Sequence, residues 1–194
     1  DFIQSFATTW HNYNAATSYL LIGGDEGHIY RLDDPQNAGS IASAVDITPP
    51  TASTAFPSIV SGLAVHPTNR NIAMAAYSNY GINSIYLSTD AAAGAPTWTL
   101  VERNLSAHSV RSCAIAEVAG QIIYFVGTAR GLYSSIDPTT IDWQQEGAST
   151  VGFSVISSLR YRPADNQLLV GTHGNGMFIT TIDNILSVEW LHFA

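Results

Sequence analysis

Short apolar runs, each broken after a few residues by a turn rich in Gly, Pro, Asn or Asp, follow one another along the whole chain. Runs of this length bounded by such turns predict strands, and no stretch carries the three-to-four-residue period of an amphipathic helix. Four times an apolar run reaches a glycine-bearing turn, and a second run follows with an apolar–aromatic pair: Ile29-Tyr30, Ile85-Tyr86, Leu132-Tyr133 and Met177-Phe178. The pairs recur at intervals of roughly 45 to 56 residues, the period expected of one four-stranded blade of a β-propeller.

The second repeat shows the pattern most fully. A first strand over 61–67 is stopped by Pro67, a second covers 71–78, a third 84–89, and 98–102 alternates as a fourth. The next repeat restates this with strands at 111–117, 122–128 and 132–136 and a short outer strand near Trp143. The last has 156–163, 167–172, 177–182 and 188–193, and the first has 2–10, 19–23, 28–32 and 44–47. Pro67 and Pro163, which end equivalent strands, lie 96 residues apart, two repeats of 48. The expectation is an all-β propeller with blades at about 1–55, 56–106, 107–150 and 151–194, the segment 48–54 being a connector within a single domain.

A chain of 194 residues buries a sizeable core without a disulfide, and the lone Cys113, in an apolar run, reads as structural. Four blades close on themselves or form part of a six- to eight-bladed ring. An isolated arc exposes edges and half a channel, which favours further blades or a second chain as partner.

Charge narrows the chemistry. Only 11% of residues are charged, the net charge is −8, and all seven basic residues are arginine. Without lysine there is no Schiff base and no P-loop cation, and no basic stripe exists to bind nucleic acid. No apolar stretch is long enough to span a bilayer, and no basic-plus-apolar leader opens the chain. The chain begins at Asp1, which reads as a processed product or a piece of a longer one. Polarity supplied by Ser, Thr, Asn and Gln suits an extracellular or cell-surface protein of bacterial type.

An aspartate follows each aromatic of the third strands: Asp33, Asp90, Asp137 and Asp183. Two of these sit in fuller patterns, Ser88-Thr89-Asp90 with Gly94 and Trp98, and Ser135-Ile136-Asp137 with Trp143. These resemble the Asp-box, or bacterial-neuraminidase repeat; they depart from it in the extra residues that separate Asp90 from Gly94, and in Pro138 with no glycine following Asp137. A carboxylate and hydroxyl there cap backbone N–H groups of a tight loop while the indole packs into the blade, so the motif reads as structural. The resemblance implies kinship with Asp-box propellers, among them sialidases, xyloglucan-cleaving glycosidases, sortilin-type receptors and photosystem-assembly factors. The stretch 168–178 is similar to the last blade of secreted cell-surface propellers of Bacteroidetes, in which a sorting domain often follows.

Sialidase chemistry needs three arginines on the substrate carboxylate, and Arg31, Arg70, Arg103, Arg111, Arg130, Arg160 and Arg162 share no position in the repeat. A glycosidase with two facing carboxylates remains an alternative. His11, His28, His66, His108, His173 and His192 are scattered singly, so no metal or other cofactor is expected. The glycine-rich 171–176 is followed by no helix and reads as a hairpin, and Asn104-Leu105-Ser106 is a glycosylation sequon.

Blade geometry puts the loops between second and third strands on the same end as the links between blades. The candidate binding residues there are Asp25, Glu26, His28, Asn79, Tyr80, Arg130, His173 and Asn175. Their mixture of acid, amide, aromatic and arginine suits a protein or carbohydrate ligand. The functional expectation is a non-catalytic binding module, with a glycosidase or an assembly subunit as alternatives.

Overall fold

A computed structural model of the chain describes residues 2–39 and 43–182. Asp183, His192 and the outer strand expected over 188–193 lie outside the described residues. Among the described residues fifteen strands form four antiparallel sheets in chain order. The first is β1 (Ile3–Thr8), β2 (Tyr19–Gly24), β3 (Ile29–Asp33) and β4 (Val45–Asp46). The second is β5 (Val60–Val65), β6 (Ala73–Tyr77), β7 (Ile85–Ser88) and β8 (Thr99–Leu100). The third is β9 (Val110–Val118), β10 (Gln121–Thr128), β11 (Gly131–Ser135) and β12 (Gln144–Glu146). The fourth is β13 (Ile156–Arg162), β14 (Gln167–Thr172) and β15 (Met177–Thr181).

Within each sheet the strands run as an up-and-down meander, and the innermost strands pack in series, β1 on β5, β5 on β9 and β9 on β13. The apolar–aromatic pairs occupy one register: Ile29, Ile85, Leu132 and Met177 lie opposite Gly23, Ala76, Gly127 and Gly171. The fourth strand of the second sheet is shorter than its pattern predicts. Beyond Leu100 the Glu102 carboxylate turns inward to accept from the N–H and hydroxyl of Ser84, both at 2.7 Å, and a single 3₁₀ turn follows at Arg103–Leu105.

Side chains alternate between the two faces of a strand, so each inner sheet feeds two cores. From β9, Cys113 and Ile115 enter the core shared with the second sheet, while Ala114, Ala116 and Val118 enter that shared with the fourth. From β6, Met74 and Ala76 pack toward the third sheet, and Ala73, Ala75 and Tyr77 toward the first. Three cores therefore join four sheets. Burying a side chain such as Phe125 contributes about 1.5–3 kcal/mol, and burial pushes the Cys113 thiol up to about 12 against an opposing pull from Arg160.

One device recurs in every innermost strand. A β-bulge lies between Ile3 and Ser5, Val60 and Gly62, Val110 and Ser112, and Ile156 and Ser158, inserting Gln4, Ser61, Arg111 and Ser157. A serine at the bulge then reaches the next sheet: Ser5 donates to the carbonyl of Val60 at 2.6 Å, Ser61 to Val110 at 2.9 Å, and Ser112 to Ile156 at 3.1 Å. Each acceptor is the residue just before the next bulge. Close approach demands small residues here: a Cβ on Gly62 would lie 3.0 Å from the Cys113 backbone nitrogen.

Candidate functional site

The β2–β3, β6–β7, β10–β11 and β14–β15 loops emerge at one end of the sheets, together with the links that carry the chain from one sheet to the next. Each loop is stitched to a link. Glu26 bridges to Ser58, Asn83 donates to the Thr51 carbonyl at 3.0 Å, and Ala129 N–H donates to Ser109 at 2.9 Å. His173 N–H donates to Val155 at 2.8 Å, and the Asn175 amide to the Ser154 hydroxyl at 3.1 Å.

The candidate residues occupy distinct parts of this end. Asp25 is already engaged, its carboxylate accepting from the Phe2 N–H at 2.8 Å. His28 lies 3.5 Å from Asp46 and stacks on Tyr30 with ring centroids 5.9 Å apart. Asp46 is held below the usual carboxylate value: desolvation by burial is the largest single influence and raises it, but the Thr48 hydroxyl and N–H and the nearby His28 together outweigh it. Asn79 is half-buried beside an exposed Tyr80. Around the third link, Arg130 places its guanidinium 6.0 Å from the Phe153 ring centre, a cation–π contact, while the exposed His173 and Asn175 border the same link. Arg130 also helps burial to lower the basicity of His108, whose ring meets Tyr133 edge-on at 5.5 Å.

The structure adds residues that sequence reasoning passed over. Phe2, Phe56 and Phe153 are 76%, 72% and 69% exposed on this end, beside Tyr80 at 65%. The available signal was an aromatic in a turn-like stretch where no alternation called for one, as in Ala55-Phe56-Pro57 and Gly152-Phe153-Ser154.

The opposite end carries the aspartate loops. Asp90 accepts from the Thr97 N–H at 2.7 Å, its hydroxyl at 2.9 Å and the Ser88 hydroxyl at 3.0 Å. Asp137 accepts from the Thr139 N–H at 3.1 Å and the Thr140 hydroxyl at 2.6 Å, and its own N–H donates to Ser135 at 3.3 Å. The indoles that follow bond backward to the preceding sheet, Trp98 to the Ile47 carbonyl at 2.7 Å and Trp143 to Val101 at 2.8 Å.

Along the axis between the innermost strands lie two cavities. One of about 400 Å³ is lined by 6–10, 63–65, 113–115 and 159–161. The other, of about 240 Å³, adjoins the bulges and is lined by Gln4, five serines of the innermost strands (Ser5, Ser61, Ser112, Ser157, Ser158) and their neighbours. Arg160 lines both, and no acidic residue lines either. Glycoside hydrolysis by two flanking carboxylates therefore finds no pair in these cavities. Among the described residues no three His, Cys, Asp or Glu side chains converge as a metal site, and no helix is long and apolar enough to cross a membrane.

No protein-family model matches the chain, and no curated protein does. Solved structures match over nearly its whole length. The β-propeller domain of Myceliophteria thermophila Cps50 (Swd1) is 18% identical with a TM-score of 0.63, covering 98% of this chain and 56% of that one. A chain of the mitotic checkpoint complex is 15% identical with a TM-score of 0.61, covering 94% and 51%. An ancestral GH74 enzyme is 17% identical with a TM-score of 0.61, covering 91% and 22%. At such identities the likeness is one of fold: the chain is a β-propeller, spanning about half the length of the first two.

Proposed function

We propose that the chain is a non-catalytic binding propeller whose loop end engages a protein ligand. The observation that carries this is the gathering of four exposed aromatic side chains, Phe2, Phe56, Tyr80 and Phe153, on the end where Arg130 stacks on Phe153. Exposed aromatics beside an arginine are the composition of protein-interface anchors. Membership of one similar structure in a mitotic checkpoint complex accords with such a role. A carbohydrate is the second reading, favoured by the amides of Asn79 and Asn175 next to exposed rings.

The hydrogen-bond pattern of Ser88, Asp90, Thr97 and Trp98, with its counterpart at Ser135, Asp137 and Trp143, supports assigning both loops as degenerate Asp-boxes. In that reading the two aspartates hold the fold and touch no ligand. Polarity carried by Ser, Thr, Asn and Gln rather than by charge supports an extracellular or surface location on a bacterial cell.

The test is selection of ligands from a random peptide library and a glycan array on the immobilised chain. Peptides recovered should bind about tenfold or more weakly to a Tyr80→Ala, Arg130→Ala, Phe153→Ser variant whose circular dichroism is unchanged. Recovery of glycans alone would select the second reading. Ligands indifferent to all three substitutions would remove the loop end from consideration.

A further inference from the structure

The three internal joints show what the two end sheets are built to meet. At each joint a β-branched residue before a bulge is fully buried, with 0% exposure for Val60, Val110 and Ile156. It seats against a small residue of the preceding sheet. A Cβ on Gly23 would lie 2.7 Å from Val60 Cβ, and one on Gly127 would lie 2.6 Å from Ile156 Cγ2. The register-equivalent knob in the first sheet is Ile3, which is 60% exposed. The equivalent hollow in the fourth sheet is Gly171, whose nearest neighbour is Ser158 of its own sheet, at 3.3 Å.

The surrounding positions repeat the contrast. Met177 stands where Ile29, Ile85 and Leu132 stand, and is 76% exposed against 0% for each of those. Leu169 stands where Leu21, Met74 and Phe125 are fully buried, and is 37% exposed. In the first sheet Phe6 occupies the position of Leu63, Cys113 and Leu159, and is 68% exposed against at most 5%. The serine bond is likewise split between the two ends. Among the described residues Ser158, in the register position of Ser5 and Ser112, is exposed with no hydrogen-bond partner, and no serine among them reaches the Ile3 carbonyl.

We propose that a second copy of this chain fills both ends, the fourth sheet of each copy packing on the first sheet of the other. The free surfaces are the two unlike halves of one repeated joint, so association is head-to-tail. Ile3 of one copy enters the hollow at Gly171 of the other, the Ser158 hydroxyl donates to the Ile3 carbonyl, and Phe6 meets the apolar row of Leu169, Met177 and Ile179. Two arcs of four sheets give eight blades, within the size range of closed propellers, and a chain that covers 56% and 51% of two propeller structures is the right size for half a ring. Arg160 stands where the inner sheets carry Ala64 and Ala114 and, like them, lines the larger axial cavity; its longer side chain also reaches the smaller one. This inference does not depend on the loop-end reading.

The native mass of the chain, measured by light scattering on a sizing column, tests it. Expected is twice the 20.8 kDa of one chain. Ile3→Asp and Met177→Asp, on opposite ends and both at exposed positions, should each weaken the dimer about tenfold or more, with circular dichroism and urea midpoint of the monomer unchanged. A monomer at all concentrations would overturn the proposal and point to blades supplied by other polypeptide. A dimer broken by only one of the two substitutions would overturn head-to-tail packing in favour of like faces meeting. Masses that grow beyond two chains would overturn the closed ring.

Discussion

Gly127 and Gly171 occupy the same register position in adjacent sheets, yet one is enclosed and the other open. A Cβ at 127 would press on Ile156 of the following sheet, while at 171 it would meet only Ser158 of its own. The difference is not in the local sequence, since Val126-Gly127-Thr128 and Val170-Gly171-Thr172 are alike. It lies in what packs alongside. A propeller blade is thus specified in isolation but stabilised by its neighbours, and the same residues that hold an inner joint are surface at an end.

Substituting valine at the two glycines breaks the comparison most sharply. Gly127→Val forces a side chain into a packed joint and should lower stability by about 3 kcal/mol, the upper range for overpacking. Gly171→Val, whose Cβ would press only on Ser158 of its own sheet at 3.3 Å, should cost the monomer less than about 1 kcal/mol, because neither position requires a left-handed backbone. Urea midpoints of the two variants read the difference. Equal losses would mean that the fourth sheet is enclosed after all.

The serine bonds give a smaller version. Ser112→Ala deletes the donor to the Ile156 carbonyl inside a joint and should cost about 1–2 kcal/mol. Ser158→Ala removes a hydroxyl that has no partner among the described residues, and should be neutral in a monomer. A cost for Ser158→Ala that rises with protein concentration would report its bond across a joint between copies.

Strand order and blade positions were legible because each third strand carries an apolar–aromatic pair and each blade a turn before it, so strand positions follow from one recurring mark. The bulges were not. Gln4, Ser61, Arg111 and Ser157 are all polar but form no recurring motif, and an inserted residue changes alternation by one without altering composition. The aspartate loops were visible as Ser-x-Asp followed by Trp, but sequence could not show that Trp98 and Trp143 reach back to the preceding sheet. At the loop end, Tyr80 and Arg130 were legible as polar or aromatic residues in turns. Phe56 and Phe153 were not, because a lone phenylalanine reads as core until its exposure is known.

The aspartate loops supply the finest contrast, between two loops of one design with different supports. Asp90 is pulled below its ordinary value of 3.8 despite some desolvation, by the N–H and hydroxyl of Thr97 and the hydroxyl of Ser88. Asp137 is lowered chiefly by the Thr139 and Thr140 hydroxyls, with added help from the Thr139 N–H and Arg103. A carboxyl with a folded-state pKa below its unfolded value binds protons more tightly when unfolded. Its stabilising contribution is complete above 3.8 and is lost as pH falls through the lower, folded value. Urea midpoints followed from about pH 5 to about pH 2 should therefore decline in this window, and Asp90→Asn and Asp137→Asn should each flatten part of that decline. Arg103 bonds to Asp142 and to the Thr139 carbonyl, so added salt should reduce the share that depends on Asp137 more than that of Asp90. If salt affects both equally, the arginine contributes nothing that the threonines do not already supply.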